Sequence, residues 1–358
     1  METQMFGTTL QSPVIIGSGP LSYSADGMIA LHKNGAGAVV TKTINRVPAD
    51  NPDRHMVCCD TNTLINCEKW SDYSMKQWLD IEMPKAVKAG VKCIASVGHT
   101  LEDSVLCVEK LEEVGCMAIE LVSYQDDTVL PMLEDTKKRV GIPVIVKLSP
   151  NSGDLLGHAK RCIDAGADGF TACDSMGPTL KIDIETGKPM LGGEDGYGWL
   201  SGAMIRPFTL QKICELRKIT KLPIIGLGGV AKWQDAIEMA MAGADYIGVC
   251  SAAILRGPSY INKLNKEIDR YLWEHGYHSL KDISGMVHRY LGGGAQKGAF
   301  VMGFDRETCK GCGRCVNVCP YRARTLTEDG NMVIDETACR RCGLCVSICK
   351  SLSILENE

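Results

Sequence analysis

The chain has 358 residues, of which 45% are hydrophobic, and this suits a large α/β domain followed by a small one. Its formal net charge of −4 gives no electrostatic case for binding nucleic acid or an anionic membrane. We expect neither a membrane span nor a signal peptide, because long apolar runs and a basic leader are both missing. Eight of the 18 cysteines fall in two runs of regular spacing and the other ten are scattered, so we expect a reducing cytoplasm rather than a disulfide-rich secreted protein.

Short apolar runs alternate with longer amphipathic segments as far as about residue 290. Runs without polar alternation are typical of parallel strands that are buried on both faces. The eight runs are residues 13–17, 38–41, 91–96, 117–122, 144–147, 169–172, 223–226 and 246–250. Together they predict an α/β fold, a (β/α)8 TIM barrel over residues 1–290, with an open doubly wound sheet as the alternative.

A recurring phrase of glycine and alanine precedes three of these runs, at residues 35–38, 165–168 and 242–245. A glycine in this position is typical of a helix C-terminus that leads directly into a strand. Three copies of one helix-to-strand junction favour the barrel. Because barrels collect their chemistry at the C-terminal ends of the strands, those positions are the candidates for a functional site.

Residues suited to ligand binding follow the first, second and fifth predicted strands. The small residues of Gly17-Ser18-Gly19-Pro20 would allow a flat ring to approach the backbone. Lys42-Thr43 follows the second strand, and Lys147 ends the fifth. A lysine at the mouth of a barrel can donate a hydrogen bond to an acceptor atom of a bound ring or stabilise a developing negative charge. The alternative for both Lys42 and Lys147 is a solvated or salt-bridged side chain without a role in binding.

The loops after the seventh and eighth predicted strands both open onto helices. They contain Gly228-Gly229 and Cys250-Ser251, respectively. Backbone N–H groups at helix N-termini favour anions, and barrels commonly bind phosphate in these two loops. We therefore predict a phosphate site here, with simple turns as the alternative.

Two cysteine runs of identical spacing, C-x2-C-x2-C-x3-C, occupy the C-terminal stretch. In bacterial dicluster ferredoxins, which this stretch resembles, the fourth cysteine of each run ligates the other cluster. We therefore predict one 4Fe–4S cluster on Cys309, Cys312, Cys315 and Cys349, and a second on Cys339, Cys342, Cys345 and Cys319. Zinc or disulfides are the alternatives, but zinc sites usually use two C-x-x-C pairs.

A glycine-rich segment, residues 291–303, predicts a linker between the barrel and a dicluster ferredoxin-like domain at residues 304–358.

A phosphate site in a protein with two iron–sulfur clusters indicates FMN. The reason is that a flavin converts two-electron chemistry into the single-electron steps that clusters accept.

Several of these motifs together resemble the dihydroorotate dehydrogenase superfamily. They are Gly17-Ser18-Gly19-Pro20, Thr41-Lys42-Thr43, residues 146–151, Ser201-Gly202, Gly228-Gly229 and residues 249–252. The stretch from Asn66 to Ser71 and the clusters after the barrel are similar to the C-terminal half of one member, dihydropyrimidine dehydrogenase. The resemblance covers essentially the whole chain and implies an FMN-binding barrel. It implies a substrate contact from Asn66 and FMN contacts from Ser18, Gly19, Lys42, Thr43, Lys147, Gly202, Gly228, Gly229, Cys250 and Ser251.

The loop after the fourth predicted strand departs from the superfamily pattern. The family places an asparagine and a catalytic cysteine or serine there, whereas this chain has Val122 and Gln125. A glutamine does not exchange a proton near neutral pH. After the sixth strand, Asp174-Ser175 stands where the family has an asparagine and a threonine or serine. We infer that the flavin site is kept and that the substrate pocket is rebuilt.

Proton transfer must then use other residues, and Tyr124 and Asp174 are the catalytic candidates. A phenol can protonate carbon, and a carboxylate can act if burial raises its pKa. Asp127 and Ser175 are expected to contact the substrate. His99, after the third strand, is expected to be structural. The alternative is a solvated loop on which Tyr124 only packs.

These features predict an oxidoreductase that exchanges electrons with a C=C or C=N bond of a small polar or heterocyclic substrate, in either direction. No G-x-G-x-x-G motif stands at a strand–helix junction, so we expect a ferredoxin or an NAD(P)H-oxidising flavoprotein subunit as electron partner. Asp174 favours a substrate with an amine, amide or cationic group, and a homodimer is expected.

Three alternatives stay open. The first is a dihydropyrimidine dehydrogenase catalytic subunit with a relocated general acid. The second is a non-catalytic electron-transfer flavoprotein subunit, and the third is a scaffold with clusters but no flavin.

Overall fold

Eight parallel strands close into a barrel in the N-terminal part of the chain, which confirms the predicted (β/α)8 architecture. The structure is a computed structural model that describes residues 2–293 and 300–356. Each of the eight predicted apolar runs overlaps a barrel strand. The chain divides into two units, Met1–Arg289 and Tyr290–Glu358.

Strands and helices alternate through the barrel, and the described part of the C-terminal unit has four strands and two short helices. The strands are β1 (Thr3–Met5), β2 (Thr8–Leu10), β3 (Val14–Ile16), β4 (Ala38–Val40), β5 (Met56–Asp60), β6 (Thr63–Asn66), β7 (Cys93–Val97), β8 (Ala118–Leu121), β9 (Val144–Leu148), β10 (Gly169–Ala172), β11 (Met176–Thr179), β12 (Gly198–Gly202), β13 (Ile224–Leu227), β14 (Tyr246–Val249), β15 (Phe300–Phe304), β16 (Arg324–Leu326), β17 (Met332–Ile334) and β18 (Leu352–Glu356). The helices are α1 (Ala25–Lys33), α2 (Met75–Gln77), α3 (Met83–Lys88), α4 (Leu101–Val105), α5 (Val108–Val114), α6 (Asp126–Arg139), α7 (Leu155–Asp164), α8 (Arg206–Ile219), α9 (Trp233–Ala242), α10 (Ser251–Arg256), α11 (Tyr260–Glu274), α12 (Arg314–Asn317) and α13 (Leu344–Ile348). None of the helices within residues 2–293 and 300–356 has the length and apolar character needed to cross a membrane.

The barrel strands follow the order β3-β4-β7-β8-β9-β10-β13-β14, and β14 closes the ring by pairing with β3. Their residues are buried on both faces, as in β9, all of whose residues are buried. This is why the strands read as unbroken apolar runs in the sequence.

A hairpin made of β1 and β2 closes one end of the barrel. Its Met5 and Leu10 are buried with Ala118, Ile145 and Tyr246 in an apolar cluster inside the ring. Because Ala118 and Tyr246 are the first residues of their strands, this cluster fills the N-terminal end. The opposite end, where the strands finish, is left for the functional site.

Glycine occupies the predicted helix-to-strand junctions with positive φ angles. These angles are 95° at Gly35, 96° at Gly166 and 121° at Gly243. The N–H of Gly243 donates to the carbonyls of Ala240 and Met239, and so it caps α9. Residues with a Cβ atom rarely adopt these angles, which accounts for the recurring glycine.

Two excursions from the barrel form a four-stranded antiparallel sheet, of order β11-β12-β6-β5, that sequence reasoning did not identify. The strands β5 and β6 follow β4, and β11 and β12 follow β10. Trp199 pairs with Asn66 in this sheet, and Gly202 pairs with Thr63. The sheet therefore fixes the positions of Asn66 and Gly202, both candidates for ligand binding.

The C-terminal unit has two similar halves around one small apolar cluster. Antiparallel pairs join β15 to β18 and β16 to β17. Cys315 in α12 and Cys345 in α13 are buried with Met332 and Leu352. Two of the predicted cluster ligands thus belong to the core of this unit.

The predicted linker, residues 291–303, ends earlier than the sequence indicated. Residues 294–299 lie outside the described part of the chain. From Phe300 onwards the chain forms β15, which pairs residue by residue with β18. Residues 300–303 therefore belong to a sheet of the C-terminal unit, because their backbone is held by the terminal strand.

Candidate active site

A cavity of about 480 Å³ opens at the C-terminal end of the barrel strands. All but one of the barrel residues predicted for binding or catalysis line it: Ser18, Gly19, Lys42, Thr43, Asn66, Tyr124, Lys147, Asp174, Ser175, Gly202, Gly228, Gly229, Cys250 and Ser251. Its volume lies within the range of about 300–1,000 Å³ that is usual for cofactor and substrate sites.

Asp127 is the exception, which corrects its predicted contact with the substrate. The helix α6 begins at Asp126, and Asp127 is exposed on its first turn. Asp126 is also turned away from the cavity, because it pairs with His158 at 2.6 Å and with Arg161 at 2.7 Å. Gln125 lines the cavity in their place.

Tyr124, Lys147 and Asp174 form one polar network in the cavity. They follow or end the three neighbouring strands β8, β9 and β10. Lys147 Nζ lies 3.3 Å from Asp174 Oδ2, and the Tyr124 hydroxyl donates a hydrogen bond to the same oxygen. The backbone N–H of Ser175 donates to Asp174 Oδ1 at 2.8 Å. The carboxylate is therefore held by donors from three residues.

These contacts fix the protonation states of the network. Burial acts to raise the pKa of Asp174, but Lys147 and the hydrogen bonds from Tyr124 and Ser175 outweigh it, and the pKa is lowered. The condition under which a carboxylate was expected to act, a pKa raised by burial, is therefore not met at Asp174. Tyr124 is 37% exposed, yet burial of its hydroxyl and the charge of Asp174 raise its pKa well above 10. Asp174 is thus an ionised carboxylate that accepts a hydrogen bond from the neutral phenol of Tyr124.

Glu120 lies beneath this network, and sequence reasoning gave it no role. It is 1% exposed, and its Oε2 accepts a hydrogen bond from Thr171 Oγ1 at 2.6 Å. Its Oε1 has no hydrogen-bond partner within the described residues. Burial raises the pKa of Glu120, against the opposing effect of Lys147, so the protonated acid is more favoured than in water. A glutamate inside the apolar run 117–122 was the signal that could have identified it.

Lys42 is paired with a carboxylate in the same cavity. Its Nζ lies 2.7 Å from Glu68 Oε2, and the two side chains are 9% and 13% exposed. Next to Lys42, the Thr43 hydroxyl lies 3.1 Å from Ser96 Oγ and 3.4 Å from Ser18 Oγ. Glu68 belongs to the stretch that begins with Asn66, but the sequence gave no reason to single it out.

Glycines give one wall of the cavity a surface without side chains. The φ angles of Gly228 and Gly229 are 111° and 112°. A Cβ atom on Gly229 would lie 2.5–2.7 Å from atoms of Arg206, and one on Gly19 would lie 2.8 Å from Cys250 Sγ. This bare surface suits a flat ring, and the nearby hydroxyls and lysines supply donors for polar substituents. The residues present therefore fit FMN.

Cys250 and Ser251 meet the antiparallel sheet at the start of α10. The hydroxyl of Ser251 donates to Ser201 Oγ at 2.8 Å. Burial raises the pKa of the Cys250 thiol to about 11, so it is not a thiolate near neutral pH. On the facing side, Asn66 Nδ2 donates to the carbonyl of Trp199 at 3.4 Å. These contacts suit roles in binding rather than in nucleophilic chemistry.

His99 lines the cavity as well, and its contacts agree with the structural role expected for it. Its backbone N–H donates to Asp103 Oδ2 at 2.8 Å, and its ring lies 5.7 Å from the Trp70 ring. Burial lowers the pKa of His99, so the ring is neutral near pH 7.

The predicted cluster ligands lie on matching loops and helices of the C-terminal unit. Gly313 precedes α12 with a φ of 69°, and Gly343 precedes α13 with a φ of 79°. These turns bury Cys315 and Cys345, and Cys309 and Cys349 pack against the same cluster. Thiolates presented on short loops in this way fit iron–sulfur cubanes. Within the described residues, no three His, Cys, Asp or Glu side chains are grouped for a single metal ion.

Comparison with known proteins agrees with both parts of this arrangement. The dihydroorotate dehydrogenase family profile matches residues 1–272, and the 4Fe-4S dicluster domain profile matches residues 297–352. Three similar proteins are dihydroorotate dehydrogenase B (NAD(+)) catalytic subunits. The one from Pyrococcus furiosus is 31% identical over 305 residues, covering 81% of this chain and 99% of its own. Those from Methanothermobacter thermautotrophicus and a Geobacter species are each 28% identical over 303 residues, covering 80% of this chain and 98% of their own.

Proposed function

The chain belongs to the dihydroorotate dehydrogenase family, and on this premise we propose that it exchanges electrons between a partner protein and a C=C or C=N bond of a small polar substrate. Membership makes it an oxidoreductase that acts on CH–CH bonds with FMN as cofactor, and the 4Fe-4S dicluster domain at residues 297–352 indicates 4Fe–4S clusters. The partner that we propose is a ferredoxin or an NAD(P)H-oxidising flavoprotein subunit. We further propose two clusters, with the two ligand sets assigned from the cysteine spacing.

FMN, when bound, would supply hydride exchange with the substrate and single-electron exchange with the clusters. Lys147, the wall formed by Gly228 and Gly229, and the hydroxyls of Ser18 and Thr43 would hold it. All of these residues line the cavity. The low exposure of Lys147, 5%, supports a role in contact with a bound group rather than with solvent.

The observation that carries the proposal is the hydrogen bond from the Tyr124 hydroxyl to Asp174 Oδ2, with Lys147 beside it. In substrate oxidation, the proton released by the substrate passes to Tyr124 Oη while the proton of Tyr124 passes to Asp174. In substrate reduction both protons move in the opposite direction. The phenol never becomes a free phenolate, which its raised pKa would disfavour.

The same carboxylate narrows the substrate class. Asp174 would attract an amine, an amide N–H or a cationic group and would repel an anion at that position. We propose a small cyclic amide or amine, and a preference for a carboxylate such as orotate would count against this.

The test uses the anaerobically reduced holoprotein and reduced methyl viologen as electron donor. Unsaturated cyclic amides and amines are screened for viologen reoxidation that depends on the added compound and on the protein. We expect turnover with at least one of them, and loss of that turnover in Asp174→Asn at unchanged FMN content. Equal turnover in the variant would contradict the proposed relay.

A second candidate function is that of a dihydropyrimidine dehydrogenase catalytic subunit with a relocated general acid. The position of Asn66 on the cavity wall favours it. Uracil turnover that survives Gln125→Ala but is lost in Asn66→Ala would support this candidate, whereas absence of uracil turnover would exclude it. The non-catalytic alternative would be supported if the same screen finds no compound that reoxidises the reduced protein.

A further inference from the structure

Glu68 is a carboxylate in the cavity that the proposed chemistry does not use. It follows β6, and only 13% of its side chain is exposed. Its Oε2 lies 2.7 Å from Nζ of Lys42, which is itself 9% exposed. Two charges held this close and this far from water form a stable neutral pair, and separating them would leave a buried charge uncompensated.

The other buried groups of the cavity are balanced in the same way. Lys147 faces Asp174 at 3.3 Å, and the lowered pKa of His99 leaves that ring neutral. The remaining lysine of the lining, Lys69, is exposed to solvent. A ligand carboxylate that entered the cavity would lose its hydration and meet no unpaired buried cation among the described residues.

We propose that Glu68 determines substrate specificity: by occupying Lys42 it excludes substrates that carry a carboxylate and admits uncharged or cationic ones with N–H donors. The inference rests on the proposed function, because it concerns the substrate of that same cavity. Specificity of this kind comes from what the site repels as well as from what it binds.

Orotate and uracil are suitable probes, because they share a ring and differ by one carboxylate. Binding of each is measured by calorimetry to the oxidised protein, the Glu68→Gln variant and the Glu68→Ala variant. We expect both substitutions to raise the ratio of orotate affinity to uracil affinity at least tenfold, because Lys42 becomes free. The control is Glu102→Gln, which removes a surface carboxylate 2.8 Å from Arg46 and should leave the ratio unchanged.

An unchanged ratio in the folded variants, or no gain of orotate binding where the native protein binds neither probe, would overturn the inference. Failure of both variants to fold would also overturn it, in favour of a structural role for Glu68. Neither result affects the proposed function, which is contradicted separately if the native protein contains no FMN.

A second inference comes from a buried arginine of the C-terminal unit. Arg324 begins β16 and is 3% exposed. Its Nη1 donates to the sulfur of Met332 at 3.1 Å, and its Nη2 has no hydrogen-bond partner within the described residues. Met332 shares an apolar cluster with Cys315 and Cys345, and α12 packs against β16. A cation left unpaired in such a place is costly unless an anion faces it.

We propose that Arg324 supplies positive charge to an anionic iron–sulfur cluster of this unit and raises the reduction potential of that cluster. Thiolate-ligated clusters gain negative charge on reduction, and a nearby buried cation stabilises the reduced form. The residue acts through the electrostatics of the site and is not a ligand.

The test is an anaerobic redox titration of the full chain, followed by electron paramagnetic resonance. We expect Arg324→Met to lower the reduction potential of one cluster by at least about 59 mV, which is a tenfold change in the equilibrium constant of a one-electron reduction. Arg324→Lys keeps the positive charge and should restore most of the potential. Arg306→Met, which removes an exposed arginine of the same unit, should leave the potentials unchanged. Unchanged potentials in Arg324→Met would overturn the proposal, as would loss of clusters in the Met and Lys variants alike. Loss of clusters in Arg324→Met but not in Arg324→Lys would support the proposal, because it would show that a cluster needs the positive charge at this position.

Discussion

The barrel and the C-terminal unit keep their folds in different ways. The barrel has an extensive apolar shell and a second cluster inside the ring, with side chains such as Trp78 and Phe170 fully buried. In the described part of the C-terminal unit the buried cluster has four members, and two of them are Cys315 and Cys345. Burial of apolar surface can therefore stabilise the barrel alone, whereas the small unit depends on ligation of its cysteines.

The same contrast applies to the chemistry. The barrel has a formed cavity whose charges are already paired within the protein, as in Lys42 with Glu68 and Lys147 with Asp174. Such a site can bind a cofactor without first folding around it. The cysteines of the C-terminal unit, in contrast, are both the site and part of the core.

Removal of iron should give the largest effect and tests this contrast directly. When the clusters are stripped with a chelator under reducing conditions, we expect residues 300–356 to become sensitive to protease while the barrel stays resistant. The reason is that the small apolar cluster loses the ligation that holds it together. Limited proteolysis with mass spectrometry measures this, and a C-terminal unit that stays protected without iron would contradict the comparison. Cys58→Ser, at an exposed cysteine outside both runs, is the control and should keep its iron.

The next largest effect concerns the barrel and its proton relay. Asp174→Asn should reduce turnover by about 10²–10⁴-fold, the usual contribution of a general acid–base group. Steady-state kinetics and FMN content are measured together, because retained FMN shows that the site is still assembled. Asp127→Asn is the matched control, since Asp127 is exposed on α6, and its rate should stay within about twofold of the native rate. A large loss in the control would mean that the active-site loop is placed differently.

A smaller effect is expected from filling the glycine wall. A Cβ atom on Gly229 would meet the backbone of Arg206 at 2.6–2.7 Å, and the φ of 112° disfavours alanine. We expect Gly229→Ala to weaken FMN binding at least about tenfold while the barrel still folds, because its core does not depend on the cofactor. Fluorescence titration of the deflavinated protein measures this. Gly153→Ala, at a site with no atom within 4 Å of the added Cβ, should bind FMN normally.

The pH dependence of substrate oxidation should be the mildest effect, because its rate should change little near neutrality. Substrate oxidation needs the Asp174 carboxylate, which is present above its lowered pKa and is lost only as the pH falls through that value. Substrate reduction needs the protonated acid, so its rate should rise about tenfold per unit of falling pH near neutrality. Single-turnover measurements in both directions give the two profiles. A reductive rate that is independent of pH would argue against Asp174 as the proton carrier.

The sequence predicted the barrel well because its strands are buried on both faces, and such strands leave apolar runs that are easy to see, as in residues 144–147. The cysteine spacing is equally direct, because ligands of one cluster lie on a short loop. The glycines and lysines that line the cavity were selected for a related reason. They follow the strands immediately, and strand ends meet at the barrel mouth.

The rest depended on contacts between distant segments. Asp127 was misplaced because one residue decides where α6 begins and which way its first turn faces. Glu68 went unassigned because it is separated in sequence from its partner, Lys42, by the hairpin of β5 and β6. Only the folded hairpin brings the two side chains together. The lowered pKa of Asp174 could not be foreseen either, since it needs Lys147 and Tyr124 on neighbouring strands.

The most direct test of the central claim is the cofactor content of the anaerobically purified protein. FMN released by heat and iron released by acid are each measured per chain, beside the Gly229→Ala variant. The account predicts about one FMN and about eight iron atoms in the native protein, and the same iron with less FMN in the variant. A native protein with its iron in place but with FMN far below one per chain would contradict it.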